Sequence, residues 1–234
     1  MPKRAAAVEE VPVAIEVAGR REAALRATPE ALEELAAGHL RVAGRIRSAA
    51  DISEITVAAL PRGPVPESVL VRVTLAPGAP PHDPGHPGTL EHVLSCDACA
   101  PTLSRGAGAP PAADRFGALL EELYARSQRY GDTGGVHAAG LSDGERLLFP
   151  FEDVGRHNAV DKAIGGALLA DAPLRELGLV LSARISGEIA FKAARAGLAW
   201  VASRSLPTTL AVAVAERAGL PLVARAGRTP TLFP

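Results

Sequence analysis

The sequence predicts an α/β protein, in which a smaller α+β unit at residues 1–112 precedes an α/β domain at residues 113–234. Three observations lead to this prediction. In the C-terminal half, short apolar runs alternate with helical stretches of about ten residues, which is typical of βαβ units and a parallel sheet. Strict apolar alternation near the N-terminus indicates a separate half-buried strand. A proline- and glycine-rich stretch lies between them, and we place the domain boundary there.

The first unit is predicted to contain three strands and one helix. Every second residue from Val11 to Val17 is valine or isoleucine, as in a strand with one buried face. Thr28 and Pro29 supply an N-cap and a first-turn proline for a helix that ends near Leu40. Two further strands, separated by a turn, are predicted at residues 52–60 and 69–75.

The second unit begins with an amphipathic helix, which Asp114 can cap and in which apolar residues recur at helical spacing. A hairpin follows, with arms at residues 134–141 and 146–154. The remaining elements alternate in type. In chain order they are a helix at 156–169, a strand at 179–184, a helix at 187–196, a strand at 198–202, a helix at 207–218 and a strand at 222–225.

The composition is that of an ordinary soluble globular protein, with 47% hydrophobic and 22% charged residues. A net charge of −1 gives no overall attraction to nucleic acid or anionic membranes, and 3% aromatic residues disfavour base-stacking platforms. No apolar run of about 18 residues predicts a membrane-spanning helix, and the N-terminus lacks the apolar region of a secretory signal. We expect a cytoplasmic protein with neither nucleic acid nor membrane as a partner.

The proline- and glycine-rich stretch carries the two cysteines of the chain, Cys96 and Cys99, in one C-x-x-C motif. Of the 38 residues from 76 to 113, 13 are Pro or Gly. A loop of this length within a compact protein is usually functional or disordered. Four roles are open for the cysteines: half of a zinc site, a redox pair, a sulfur carrier, or two thiols without a function.

Histidines before the cysteines support the zinc interpretation, since His82, His86 and His92 complete the pattern H-x3-H-x5-H-x3-C-x2-C. A flexible loop, however, suits a carrier thiol that collects a group at one place and delivers it at another. Asp97 lies between the cysteines, and a neighbouring negative charge raises the pKa of a thiol.

Arginine and serine recur where the strands of the second unit end, at residues 184–187 and 203–209, and arginine again at 225–228. One such junction would be ordinary helix capping. Three on one edge of a parallel sheet favour a site for a polyanion such as a nucleotide diphosphate. The chain has no G-x-x-x-x-G-K-[ST] motif and no G-x-G-x-x-G after a strand, which excludes a Walker-type NTPase and disfavours a dinucleotide Rossmann site.

Two further segments are rich in polar residues. Residues 152–162 place Arg156, His157 and Asn158 in the first turn of a helix, where free N–H groups favour phosphate. Residues 133–139 bring two glycines before His137, which lets a partner approach the backbone closely. A solvated helix start and a core histidine are the alternative interpretations of these two segments.

These segments resemble the FdhD family, the formate dehydrogenase accessory sulfurtransferases. The matching stretches are EDVGRHNAVDK at 152–162, TGGVHAA at 133–139, ASRSLPTTLAV at 202–212 and EVPVAIE at 10–16. Together with Thr28, Pro29 and the C-x-x-C motif they stand in the family's order, so that the resemblance covers nearly the whole chain.

The resemblance implies a fold, an activity and partners. The second unit is expected to be a three-layer, cytidine-deaminase-like domain, and the protein a homodimer. Family members accept sulfur from a cysteine desulfurase as a cysteine persulfide. They pass it to the molybdenum bis(molybdopterin guanine dinucleotide) cofactor, which is inserted into formate dehydrogenase. The implied activity is that of a sulfurtransferase that binds this cofactor as a substrate and holds no permanent cofactor or metal.

The family pattern also assigns residues. Cys96, the first cysteine of the motif, is implied to carry the persulfide with the assistance of Cys99, although the family's Cys-Gly-x-Cys-Gly reads Cys-Asp-Ala-Cys-Ala here. Residues 223–228 match the cofactor-binding stretch, and Arg225 and Arg228 would contact the diphosphates. Together with the strand-end residues, the predicted cofactor-binding set is Val223, Ala224, Arg225, Ala226, Gly227, Arg228, His137, Arg156, His157, Asn158, Arg184, Ser203, Arg204 and Ser205.

Three alternatives to sulfur transfer were weighed. A zinc deaminase needs H-x-E followed by P-C-x-x-C, whereas His137 is followed by two alanines and the C-x-x-C precedes it, so this activity is excluded. A cofactor-binding chaperone without sulfur transfer would keep the strand-end site and make the cysteines dispensable. A zinc-stabilised binding module would use the histidines and cysteines of the loop as ligands.

Overall fold

The computed structural model describes residues 7–60, 68–79, 90, 103 and 106–233. Over these residues the fold is mixed α/β, with two sheets and six α-helices. A four-stranded sheet and the first helix belong to the N-terminal unit, and a six-stranded sheet with five helices follows. A single cluster of buried apolar residues extends from the first strand to the ninth, so the two units share one core.

The N-terminal sheet has the strand order β2-β1-β4-β3, in which β1 and β4 are parallel and the other neighbours are antiparallel. Its strands are β1 (Val11–Val17), β2 (Arg20–Ala27), β3 (Ile52–Ala59) and β4 (Val69–Leu75). The alternating residues of β1 are buried, as predicted. Strand β2 was not predicted. It joins β1 through Ala18 and Gly19, whose φ angles of 49° and 74° are those of a tight hairpin turn.

The first helix, α1 (Leu32–Val42), begins later than predicted, with Ala31 as its N-cap. The assignment of Thr28 as a helix cap is wrong. Thr28 is fully buried, and its hydroxyl donates to Asp153 Oδ2 at 3.0 Å. The reason is that the Thr28 hydroxyl already accepts from the buried Lys162 ammonium at 2.8 Å, in the role that an N-cap hydroxyl would fill toward a helix N–H.

The second sheet has the order β10-β9-β8-β7-β5-β6. Its strands are β5 (His137–Ser142), β6 (Leu147–Asp153), β7 (Gly178–Leu181), β8 (Val201–Ser203), β9 (Leu222–Ala224) and β10 (Thr231–Phe233). The prediction of a parallel sheet is confirmed for β7, β8 and β9 alone, since β5, β6 and β10 pair antiparallel to their neighbours. The sheet is therefore mixed. The short β10 was not predicted.

Five helices accompany this sheet: α2 (Arg115–Ala125), α3 (Gln128–Thr133), α4 (Arg156–Leu169), α5 (Gly187–Ala196) and α6 (Thr209–Ala218). The predicted bounds of α4 and α5 are confirmed, whereas α6 starts two residues late and α3 was not predicted. The segment after Asp114 is helical as predicted, but the Asp114 side chain makes no capping hydrogen bond.

Helices cover both faces of the six-stranded sheet. In β7, for example, Leu179 and Leu181 join the main core with α4, α5 and α6, whereas Val180 joins a second apolar cluster with α2. Within the second cluster, Trp200 packs edge-on against Phe116 of α2, with ring centroids 5.7 Å apart. Successive side chains of the central strands thus pack on opposite faces of the sheet, as the geometry of a strand requires. A helix long and apolar enough to cross a membrane is absent from the described residues.

Close helix packing joins the N-terminal unit to the second sheet. Helices α1 and α4 approach so closely that a Cβ atom added at Gly38 would lie 1.8 Å from the carbonyl oxygen of Asp161. At the other end of α1, Arg41 donates to the carbonyl oxygens of Arg195 and Ala196, and Arg195 donates in return to that of Val42. Each arginine satisfies carbonyls that a helix C-terminus leaves free.

Candidate functional site

Three arginines meet where strands β8 and β9 end. Arg204 follows β8, and Arg225 and Arg228 follow β9. With Leu206 and Thr229 they line an open cavity of about 490 Å³, which we call the arginine pocket. All three arginines are exposed, and none forms an ion pair with a described acidic residue. The cavity can therefore accept an anion with several charges.

Ser203 connects the loops that carry these arginines. It is fully buried, and its hydroxyl donates to the carbonyl oxygen of Ala183 at 2.7 Å and accepts from the backbone N–H of Ser205 at 3.0 Å. The carbonyl oxygen of Ser203 accepts from the backbone N–H of Ala226. Ser203 thus bonds to the segments that follow β7, β8 and β9. Because it is buried, it positions these segments and does not contact a ligand itself.

The backbone at the arginine pocket has two residues with positive φ. Arg225 has a φ angle of 53°, a conformation that costs a non-glycine residue on the order of 1 kcal/mol. Gly227 has a φ angle of 79°, which glycine adopts without that cost. The Arg228 N–H closes the turn on the carbonyl oxygen of Arg225 at 3.0 Å. The turn holds Arg225 and Arg228 at the same edge of the sheet.

A second cavity lies beside the ends of β5 and β7. His137, Arg156, Arg184, Ser186 and Thr208 line its approximately 300 Å³, and we call it the histidine pocket. Burial, and next the charge of Arg156, lower the pKa of the His137 imidazole, although Asp153 acts in the opposite direction. This half-buried histidine is therefore neutral at pH 7 and able to accept a proton or a hydrogen bond.

His157 follows Arg156 in the first turn of α4. Burial lowers the pKa of its imidazole, and the positive charges of Arg156 and Lys192 lower it further against the opposing effect of Asp161. The Nε2 atom of His157 is buried and has no hydrogen-bond partner among the described residues. A positive charge on His137 would lower the pKa of His157 further, which places the His157 imidazole near His137.

Three polar residues of segment 152–162, Asp153, Asn158 and Lys162, form a buried network. Lys162 and Asp153 are both fully buried, and the Lys162 Nζ atom lies 2.6 Å from Asp153 Oδ2. Lys162 also donates to Thr28 Oγ1 at 2.8 Å. Asn158 donates to Asp153 Oδ1 at 2.9 Å and to the carbonyl oxygen of Arg26 at 2.6 Å. This network connects the end of β2 to the start of α4.

A second ionic cluster lies further along α4. The Lys192 ammonium contacts both oxygens of the buried Asp161 carboxylate at 2.8 Å, and His39 lies 3.8 Å from it. Burial acts to raise the pKa of Asp161, but Lys192 and His39 outweigh it and the pKa is lowered. The carboxylate is therefore ionised and holds α1, α4 and α5 together.

Comparison with known proteins identifies the family. Residues 8–231 match the FdhD/NarQ family. The chain belongs to the FdhD/NarQ family. It is 34% identical over 230 residues to a sulfur carrier protein FdhD of Bacillus subtilis, covering 89% of this chain and 80% of that protein. It is 36% identical over 237 residues to a sulfur carrier protein FdhD of Mycobacterium bovis, covering 93% and 85%.

A solved structure shares the fold of this FdhD/NarQ chain. It is that of a protein from Desulfotalea psychrophila assigned as a formate dehydrogenase accessory protein, with a TM-score of 0.75 and 28% sequence identity. The match covers 96% of this chain and 86% of the other. The mixed α/β architecture is thus that of the family, while the likeness to cytidine deaminases stays a prediction.

The predicted site residues of this FdhD/NarQ chain fall into three groups. Arg204, Arg225 and Arg228 surround the arginine pocket, and His137, Arg156 and Arg184 surround the histidine pocket. Five residues of the second group are buried and line neither pocket: Asn158, Ser203, Val223, Ala224 and Ala226. His157, Ser205 and Gly227 also lie outside the lining of both pockets, His157 near His137, and the other two in the loops after β8 and β9. The third group lies outside the described residues and comprises Cys96, Cys99, His82, His86 and His92.

Three residues at these pockets, Ser186, Thr208 and Tyr124, are not in the set of site residues predicted from the sequence. Ser186 and Thr208 lie within the serine-bearing strand-end segments but outside the predicted set, and both line the histidine pocket. Tyr124 on α2 contacts Arg204 through its hydroxyl and stacks on Tyr130, with ring centroids 5.3 Å apart. Burial raises the pKa of the Tyr124 hydroxyl, so it is a neutral hydrogen-bonding group. No pattern in the sequence connects α2 with the end of β8.

Proposed function

We propose that this chain is a sulfur carrier that accepts sulfur from a cysteine desulfurase as a persulfide on Cys96. It transfers the sulfur to the molybdenum bis(molybdopterin guanine dinucleotide) cofactor for formate dehydrogenase. Membership of the FdhD/NarQ family supports this proposal, as do relatives named sulfur carrier proteins FdhD and a structural neighbour assigned as a formate dehydrogenase accessory protein. The protein would act as a sulfurtransferase, with the cofactor as its substrate.

The observation that carries the proposal is the arginine pocket. Three guanidinium groups on loops joined by Ser203 offer charge-assisted hydrogen bonds at the carboxyl ends of parallel strands, where α/β proteins bind ligands. A diphosphate, which the guanine dinucleotide cofactor contains, matches this arrangement. Leu206 is 48% exposed at the same pocket and offers an apolar surface to a ring or a ribose.

The proposed sulfur transfer uses two thiols, one that carries the sulfur and one that releases it. The Cys96 thiolate attacks the outer sulfur of the donor's persulfide, the donor's S–S bond breaks, and the donor leaves as a thiolate. For delivery, the Cys99 thiolate attacks Cys96 Sγ, and the outer sulfur leaves with its electron pair as hydrosulfide for the cofactor. The disulfide that remains between Cys96 and Cys99 is reduced by a thiol reductant before the next cycle.

Described residues flank the cysteines at both sides. Leu90 and Leu103 are buried in the main core, with 4% and 5% of their surface exposed. Cys96 is six residues from Leu90, a chain length that spans at most about 20 Å. The carrier thiol therefore lies within about 20 Å of the point where Leu90 joins the core.

We further propose that the protein acts in the cytoplasm as a homodimer and contacts two proteins in turn, the desulfurase that donates sulfur and the formate dehydrogenase that receives the cofactor. Mass spectrometry tests the first step after incubation with a cysteine desulfurase and cysteine. We expect one additional sulfur atom on the peptide that contains Cys96 and Cys99. The Cys99→Ala variant keeps this sulfur and the Cys96→Ala variant lacks it; sulfur on neither cysteine refutes the proposal.

Two alternatives predict different outcomes. The negative charge of Asp97 disfavours a reactive thiolate at the neighbouring cysteines. A chaperone that binds the cofactor without transferring sulfur does not need such a thiolate. That chaperone is supported if Cys96→Ala still yields active formate dehydrogenase. A zinc-stabilised module requires stoichiometric zinc in the purified protein, which is lost on substitution of His82 or Cys96.

A further inference from the structure

We propose that the histidine pocket is a separate binding site for a phosphate or diphosphate anion. This inference rests on the proposed cofactor binding, because His137, Arg156 and Arg184 belong to the predicted cofactor-binding set, but it needs neither cysteine and concerns a cavity other than the arginine pocket. No described residue lines both cavities. A volume of about 300 Å³ accommodates a phosphoryl or diphosphate group but not a dinucleotide.

Three helix N-termini converge on the histidine pocket. Arg156 is the first residue of α4, Ser186 is the N-cap of α5, and Thr208 is the N-cap of α6; all three line the cavity. The first turn of each helix has backbone N–H groups without partners inside the helix, and the helix dipole makes that end positive. Each of the three ends contributes to one positive potential inside a small volume.

Buried polar atoms at the pocket lack partners. The Ser186 hydroxyl is buried, makes no capping bond to its own helix and has no hydrogen-bond partner among the described residues. The same holds for Nε2 of the neighbouring His157. Thr208 behaves differently, because its hydroxyl accepts from the backbone N–H of Ala211 at 3.2 Å. Buried hydroxyls and imidazoles are normally bonded, so these two atoms leave hydrogen-bonding capacity that a ligand can use.

Fixed positive charges complete the site. Arg156 and Arg184 line the cavity, and neither forms an ion pair with an acidic residue in the described part of the chain. Asp153, the acid whose charge acts on His137, is bonded to Lys162. The charged and titratable groups around His137 are Arg156 and His157 on α4, Asp153 on β6 and Arg184, which follows β7 and lines the same cavity. Two of these four groups are positively charged, one is a neutral imidazole, and the single carboxylate is paired with Lys162. The cavity therefore favours an anion.

The test follows the pKa of His137 by NMR of its imidazole, assigned with a His137→Gln variant, in the full-length Cys96→Ala protein. Inorganic pyrophosphate is added at low ionic strength. A bound anion stabilises the imidazolium form, so we expect the pKa of His137 to rise by about one pH unit. Binding then tightens as the pH falls through that value. An unchanged titration at millimolar pyrophosphate overturns the proposal.

Variants locate the binding. Arg184→Ala, a change at an exposed residue, is expected to weaken pyrophosphate binding at this site about tenfold, and Ser186→Ala about fivefold. Arg228→Ala is the matched control, because it removes the same charge from the arginine pocket and should leave the His137 response unchanged. A response lost equally in Arg228→Ala overturns the assignment to a separate site.

The source of the anion is distinguished by guanosine diphosphate, added after pyrophosphate. If the nucleotide displaces pyrophosphate from His137, the site holds a phosphoryl group of the cofactor. If both bind together, it holds a free anion alongside the nucleotide. Both outcomes support the site, and they are independent of sulfur transfer because the carrier cysteine is absent from the protein used.

Discussion

Replacing Lys162 by methionine tests whether the buried network between β2 and α4 organises the site. The side chain is fully buried and lies 2.6 Å from Asp153 Oδ2. Besides this ion pair, its ammonium group donates to Thr28 Oγ1 at 2.8 Å. Methionine fills a similar volume but leaves the Asp153 carboxylate without a counter-charge. The network would then contain a buried charge held by neutral donors alone.

The expected loss follows from what remains around Asp153. Breaking a buried ion pair by removing one partner costs about 3–5 kcal/mol in free energy of unfolding. Four donors stay in place: Thr28 N and Oγ1, Gly155 N and Asn158 Nδ2, at 2.8–3.1 Å. These bonds compensate part of the charge, so we expect a loss at the lower end, about 3 kcal/mol. In a chain of this length the melting temperature falls by about 6–12 °C.

Urea denaturation measures this loss, with circular dichroism and tryptophan fluorescence as two probes. The control is Arg72→Met, which removes a charge from an exposed pair with Glu16 at 4.0 Å and should change stability by less than about 1 kcal/mol. A Lys162→Met loss no larger than that of the control refutes the reasoning. Pyrophosphate binding by the surviving folded protein should weaken as well, because Gly155, whose N–H donates to Asp153 Oδ1 at 2.8 Å, directly precedes Arg156 of the histidine pocket.

Three further predictions concern single side chains. Ser203→Ala removes two buried hydrogen bonds and should weaken guanosine diphosphate binding about tenfold while costing about 2 kcal/mol of stability, measured by calorimetry and denaturation. Tyr124→Phe keeps the ring but not the hydroxyl; it should weaken the same binding about threefold, with no further effect in an Arg204→Ala background. The lowered pKa of Asp161 stabilises the folded state above its ordinary value of 3.8, and this contribution is lost as the pH falls below it. Lys192→Met should therefore show a smaller loss of stability between pH 7 and pH 3 than the wild type.

The outcomes that contradict these predictions are distinct. For Ser203→Ala, unchanged nucleotide affinity at reduced stability would make the residue purely structural. For Tyr124→Phe, an equal effect with and without Arg204 would show that the hydroxyl does not act through that guanidinium. An identical acid response of wild type and Lys192→Met would remove Asp161 as a source of the pH dependence.

Elements with strong local patterns were predictable from the sequence. Helices α4 and α5 were placed at their observed bounds, since each combines buried apolar positions with a clear start or a stop such as Gly197. Strand β2 was missed because its apolar residues do not alternate strictly and its outer positions are exposed. Local sequence cannot show that pairing with β1, through the turn at Ala18 and Gly19, stabilises such a strand.

The site was predictable in part for a related reason. The sequence predicts that the arginines after β8 and β9 lie close together, because parallel strands end at one edge of their sheet. The polar density of segment 152–162 was harder to interpret, since a buried network and a ligand site require the same residue types. Only the structure shows that Asp153 and Lys162 bond to Thr28.

The distribution of charge connects these networks to the proposed site. The chain has 25 basic and 26 acidic residues, so its net charge gives no attraction to an anion. Yet the buried acids Asp153 and Asp161 are bonded to lysines, and Glu22 pairs with Arg45. In the described part of the chain, the arginines at the strand ends have no such acid. A nearly neutral protein thus presents a locally positive edge, and the proposed recognition of a polyanionic cofactor depends on that local charge rather than on the net charge.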